Sequence, residues 1–280
     1  MAPHDAAPLP LLFTSLTQFF PAGVSPAWAF SALVLAVLVT GIAKSGFGGG
    51  VGILAVPLMA AAIDAGNALG VMLPILIAAD VAAVWQHRHH RAADQGTGLL
   101  RPCLLGGAAG IIGATGLLKL YQGAASFAAL LSATVGAVCL ALVALQLYRL
   151  AGGRVPRIPA GRRTGAAVGG LAGFVSTLAH AAGPVMSVYL LDQRLKKAEL
   201  VGTLVVFFFV LNLMKMPGYL ALGVIDGDTL RASALLLPLV PVGAVLGLWL
   251  HRRVPERPFT LIMYAGAAAA GGRMVYQAFA

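Results

Sequence analysis

Residues 41–63 read Gly41-Ile-Ala-Lys-Ser-Gly-Phe-Gly-Gly-Gly-Val-Gly52, followed by the short apolar run Ile53–Ile63. The four glycines of Gly46–Gly50 cannot hold a regular helix against lipid, since each costs about 1 kcal/mol relative to alanine there. Irregular backbone survives at membrane depth only where protein or a cavity satisfies its polar groups. A helix from Val51 to Ile63 covers only about 20 Å at ~1.5 Å per residue. A hydrocarbon core is ~30 Å thick. The stretch therefore predicts a broken membrane helix whose glycine tip dips into the bilayer.

The surrounding sequence supplies that bilayer. Of 280 residues, 59% are hydrophobic and 10% are charged, against about a quarter charged in soluble domains. The apolar residues form long runs, among them Ala27–Ala43, Ala68–Trp85, Cys103–Leu120, Phe127–Tyr148, Leu200–Leu222 and Ala232–Leu250. Most approach the ~20 residues a spanning helix needs. Period-2 alternation is absent, which argues against a lipid-facing barrel. The fold class is an all-α integral membrane protein.

A formal charge of +10 could suggest nucleic acid, but its placement argues otherwise. Arg88, Arg91, Arg101, Arg149, Arg154, Arg157, Arg162, Arg163, Arg194, Lys196, Lys197, Arg252, Arg253 and Arg257 fall in four short connections between apolar runs. That is the pattern of cytoplasmic loops, and no nucleic-acid partner is expected. Trp28, Trp85 and Trp249 fall at segment ends, where indole rings favour the interface. Cys103 and Cys139 lie inside apolar runs, without the spacing of a disulfide framework or a metal site.

These features predict about ten membrane segments. Residues 1–23 form an N-terminal interfacial segment, 24–149 a first group of five, 150–163 a basic cytoplasmic linker and 164–280 a second group of five. A shift of 132 residues superposes Gly41 on Gly173, Val56 on Val188, Leu58 on Leu190 and Gly70 on Gly202; Ser45 meets Thr177 and Asp80 meets Asn212. Corresponding connections have opposite charge. The basic one after Trp85 matches the acidic turn 223–228, and the Asp64 turn matches basic 194–197. Five segments per copy turn the second copy upside down. That is the expectation for inverted-topology repeats, each with a broken-helix pair, an arrangement of secondary transporters.

Two motifs carry chemistry. In the first, Lys44, Ser45 and the amides of Gly46, Gly48, Gly49 and Gly50 offer donors beside a helix start, which suits an anion. Close packing of helices through small residues is the competing reading. The counterpart, Gly173-Phe-Val-Ser-Thr-Leu-Ala-His-Ala-Ala-Gly-Pro184, offers Ser176, Thr177 and His180 before a Gly183-Pro184 break. Asp80, Asn212 and Lys215 are candidates for coupling or structural polar roles. An ionisable group in a span is a functional candidate, although Lys215 sits where it could snorkel. His89 and Asp94 have the His-x4-Asp spacing of some membrane acyltransferases, in a loop whose simpler role is attraction to anionic headgroups. Walker, G-x-S-x-G and H-E-x-x-H sequences are absent.

The Lys44–Gly52 motif with Pro57, Gly70 with the basic connection after Trp85, Ser176…Gly183-Pro184 with Tyr189 and Leu190, and Gly202-Thr203 through Asn212 and Lys215 together resemble the sulfite exporter TauE/SafE family of membrane permeases. The family pattern often has Gly-Gly before the second proline, where this chain has Ala181-Ala182 ahead of Gly183-Pro184, leaving less room at that tip. The resemblance implies secondary transport of sulfite, sulfonate or other small sulfur-containing or organic anions across the cytoplasmic (inner) membrane. No cofactor, metal or catalytic residue is expected. The partners expected are a small anion and the lipid bilayer, with a proton as candidate coupling ion and a second copy as candidate subunit. The alternatives are an enzyme of acyltransferase type using His89 and Asp94, and a non-transporting accessory subunit.

Overall fold

The computed structural model describes residues 16–21, 23–46, 50–86, 97–122, 126–153, 157–193 and 195–279. The described chain is helical, with no strand among the described residues. Helix α1 spans Pro26–Gly46; a 3-10 turn at Gly50–Leu54 leads into α2, Ala55–Ala60. Then come α3 (Ala65–Gln86), α4 (Thr97–Tyr121), α5 (Phe127–Leu150), α6 (Arg162–Ala179) and α7 (Ala182–Asp192). Helices α8 (Lys197–Ala221), α9 (Gly227–Leu236), α10 (Leu239–Arg253) and α11 (Glu256–Phe279) complete the chain.

Helices α1, α3, α4, α5 and α8 are long and apolar enough to cross a membrane, and α9 with α10 makes a sixth span if that bent pair is one crossing. Helices α6 and α11 fall short because arginines and glycines interrupt their apolar residues (Arg162, Arg163 and Arg273 among them), while α2 and α7 are short. The run 231–250, read from sequence as one segment, is bent by 44° between α9 and α10. Pro238, at the N-cap of α10, has no N–H to continue the α9 ladder. The short helix expected over Ile53–Ile63 divides into the 3-10 turn and α2.

Packing partners cross between the two halves of the sequence. The principal partner of α1 is α10, that of α6 is α4, that of α5 is α11, and α3 lies against α8. Glycine makes two of these contacts possible. A Cβ on Gly106 would lie 1.9 Å from the Ala166 carbonyl oxygen, and one on Gly169 would lie 2.0 Å from that of Cys103. Gly110 and Gly173 meet Gly170 and Gly107 equally closely. Between α1 and α10, Gly41 and Gly243 approach each other's backbones in the same manner. Small residues allow such contact in lipid, where packing replaces the hydrophobic effect. Outward, Leu105, Ile112, Leu120, Val245 and Ile262 are exposed, as suits a surface solvated by lipid tails.

Turns of like character gather. Gln122 donates from Nε2 to the Leu222 carbonyl at 2.6 Å, and Asp64, Asn67 and Gly223 line one shallow hollow beside it. Asp226 caps α9 by accepting from the Thr229 and Asp228 amides, and these bonds hold its carboxyl below the usual range. The linker 150–163 is tied to the end of α7 instead: the Ile158 amide donates to Asp192 Oδ2 at 3.0 Å, and Gln193 Nε2 donates to the Ile158 carbonyl. Trp28, Trp85 and Trp249 stand exposed near helix ends, with Arg273 over Trp28 and Arg253 over Trp249. Of the expected interfacial segment 1–23, residues 16–21 and Gly23 are described; Leu16 is buried, and Phe19 and Phe20 pack on the core.

Candidate functional site

Each half contains a helix that ends beside a polar group, and both ends border one cavity. Helix α1 ends just after Lys44 and Ser45. Helix α6 ends at His180, whose backbone takes left-handed angles, φ 50° and ψ 29°, uncommon for a residue other than glycine. That reversal lets α7 start two residues later, with Pro184 in its first turn, where a missing N–H costs nothing. The cavity has an empty volume of about 520 Å³ counting its open side. Its wall includes Thr40 and Lys44 from α1, Gly52, Met72 and Leu76 from α3, Ser176 and His180 from α6, Ala182 and Gly183 from α7, and Phe208 and Asn212 from α8.

A chain of polar contacts runs along this wall. Lys44 Nζ pairs with Asp80 Oδ1 and lies 5.2 Å from the centre of the Phe208 ring. The other Asp80 oxygen, Oδ2, accepts from Asn212 Nδ2 at 2.6 Å. Asp80 is fully buried, so both of its oxygens are committed. One turn beyond Asn212 on α8, Lys215, also fully buried, stands behind the wall and reaches Ser176 Oγ at 3.0 Å, the Ser176 carbonyl at 3.3 Å and His180 Nδ1 at 2.7 Å. His180 Nε2 lies 3.1 Å from the Leu69 carbonyl. A carbonyl can only accept, so the proton sits on Nε2 and Nδ1 is the acceptor for Lys215. Tyr219 meets the His180 ring edge to face at 5.9 Å and donates to the Thr177 carbonyl.

Not every residue named from sequence faces this space. The Ser45 hydroxyl bonds the carbonyls of Gly41 and Ala244, which fastens α1 to α10. The Thr177 hydroxyl bonds the Gly173 carbonyl in its own helix. Lys215 does not snorkel; it turns inward to the α6 tip. Gly46 closes α1 and Gly50 opens the 3-10 turn, while Gly48, Gly49, His89 and Asp94 lie outside the described residues. Among the described residues, glycines make close contacts at the α4–α6 and α1–α10 faces. Sequence reasoning missed Thr40, Met72, Leu76 and Phe208. The 132-residue shift that pairs Asp80 with Asn212 also pairs Leu76 with Phe208, and it could have found both.

A helical bundle of membrane-spanning length, with its buried charges gathered at an internal cavity between two broken helices, defines the class as a polytopic membrane transporter. The family model for the sulfite exporter TauE/SafE matches residues 33–274, most of the chain, and the protein belongs to this family. The family consists of permeases for sulfite or related anions. No curated protein and no solved structure matches the chain.

Proposed function

We propose that the chain is a secondary transporter that carries a small sulfite-like, sulfonate or other sulfur-containing or organic anion across the cytoplasmic (inner) membrane. Two inverted-topology repeats of five segments would alternate access to the cavity. The observation that carries this reading is the charge around it: Lys44 on the wall and Lys215 behind the lining residues Ser176 and His180, against one carboxylate, Asp80, behind Lys44 and Asn212. A buried charge without its counterion is costly, and an anion supplies the missing one. The first turn of α7 adds to the attraction. Its N-cap Ala181 makes no side-chain cap bond, and Ala182 and Gly183 border the cavity at the positive end of that helix.

The exchange of partners between halves supports the repeat. Under the 132-residue shift, α1 corresponds to α6 and α4 to α9–α10. The α1–α10 and α4–α6 contacts are therefore one contact made twice. The Asp80–Asn212 bond joins two corresponding residues, as expected beside a two-fold axis.

Purified protein screened against sulfite, methanesulfonate, thiosulfate and small carboxylates should show a raised Tm with the anion that also crosses proteoliposomes. At a hundred times Kd the stabilisation is about 2.7 kcal/mol. If no anion in the panel stabilises the protein or crosses liposomes, the permease reading fails. For orientation, cysteine at Arg157 should resist impermeant maleimide in intact cells and cysteine at Gly227 should react; reversed labelling would invert the topology.

A further inference from the structure

Three polar acceptors surround the Lys215 ammonium, and one of them can change role. A protonated Nζ has three N–H groups, and the three neighbours within reach are the Ser176 carbonyl, Ser176 Oγ and His180 Nδ1. Each proton has one acceptor. If Nζ loses a proton, two N–H groups remain for the carbonyl and for Nδ1, and a lone pair appears. The Ser176 hydroxyl both donates and accepts, so it turns to donate into that lone pair. His180 cannot make this exchange, because its Nε2–H is held by the Leu69 carbonyl. The cluster thus satisfies its hydrogen bonds in both protonation states of Lys215.

The electrostatic surroundings favour different states with the cavity empty and filled. From α3 the group facing Lys215 is Asp80, from α1 it is Lys44, from α6 it is His180, and from its own helix it is Tyr219 one turn on. Helix α7 carries Tyr189 and α4 carries Cys103, both in the buried cluster around Phe207, two turns back along α8. Asp80 is the sole carboxylate in this set, and its oxygens are already taken by Lys44 and Asn212. With the cavity empty, the buried Lys215 touches only neutral groups, Ser176 and His180, and a buried charge without a counterion is costly. An anion beside Ser176 and His180 reverses the balance.

We propose that Lys215 takes up one proton from solvent for each anion bound and returns it when the anion leaves, so that a monovalent anion and a proton travel together. This rests on the anion-binding reading of the cavity and adds the ion that accompanies it. By linkage the effect is reciprocal: the bound form holds one more proton, so affinity weakens as pH rises, by up to tenfold per unit. Transport of a monovalent anion is then electroneutral.

Methanesulfonate is the suitable probe, since it stays a monoanion throughout the working pH range and contributes no titration of its own. Titration calorimetry of the wild-type protein in buffers of different ionisation enthalpy should show one proton taken up per methanesulfonate bound. Proteoliposome uptake should follow an imposed pH gradient and ignore a potassium potential set with valinomycin. Lys215→Arg, which keeps its charge at all working pH values, should lose both the proton uptake and the pH dependence of binding, and its flux should become sensitive to potential. Methanesulfonate binding without proton uptake in the wild type overturns this proposal and leaves the permease reading standing. Failure of every anion in the panel to bind at any pH overturns both.

Discussion

Replacing Asp80 with alanine is expected to destabilise the protein by about 3–5 kcal/mol, the cost of removing one partner from a buried ion pair. Asp80 is fully buried, and its two oxygens hold Lys44 on one side and Asn212 on the other. Its loss leaves the partly buried Lys44 and the Asn212 amide without their acceptor, near the fully buried Lys215. Lys44→Met creates the opposite imbalance, an unpaired carboxylate, and should be damaging on its own. The double variant Lys44→Met/Asp80→Asn has neither, so it should recover much of the stability lost by each single change. A double-mutant cycle of thermal or denaturant unfolding in detergent measures this coupling. Strictly additive losses would show that the two side chains do not act as a pair.

That same double variant isolates the second large effect. It is expected to fold and yet to bind the transported anion at least 30-fold more weakly. Truncating a charged, desolvated binding partner costs about 2 kcal/mol or more, which is roughly 30-fold in affinity. Lys44 keeps some exposure to the cavity, its side chain being 16% accessible, and among the described residues its one hydrogen-bond acceptor is Asp80. It therefore has N–H groups left to offer. Binding measured by the anion-induced rise in Tm decides the matter, because the stability of the free protein is followed in the same experiment. Undiminished binding would move the anion away from the α1 tip.

The apolar runs and the charged connections located the helices closely, because spanning length and loop charge are properties of contiguous sequence. The second interruption was legible to within a few residues: the break expected at Gly183-Pro184 falls at His180 and Ala181, and Gly183 and Pro184 stand in the first turn of α7. Alignment of the halves set Asp80 opposite Asn212 but gave no hint that the two residues touch. What a side chain faces is another kind of fact. Lys215 near the outer part of an apolar helix looked able to snorkel, and only the position of the α6 tip shows why it turns inward. Ser45 looked like a ligand donor until the approach of α10 claimed its hydroxyl. Met72, Leu76 and Phe208 have no chemistry to mark them, and they belong to the cavity because α3 and α8 cross there. The left-handed turn at His180 breaks a local rule, since glycine is the usual choice for that backbone conformation. Here the imidazole is fastened between Leu69 and Lys215, and these contacts over-determine the conformation.

The crossing of partners between halves bears on how such a chain is made. During synthesis the first half reaches the bilayer with α1 lacking α10, α4 lacking α6 and α5 lacking α11. Its glycine faces, Gly41 on α1 and Gly106 and Gly110 on α4, then stand open to lipid until the second half is inserted. Under the inverted repeat proposed above, a single copy would meet the same need only by inserting in both orientations and dimerising, each copy lending the other the helices it could not provide.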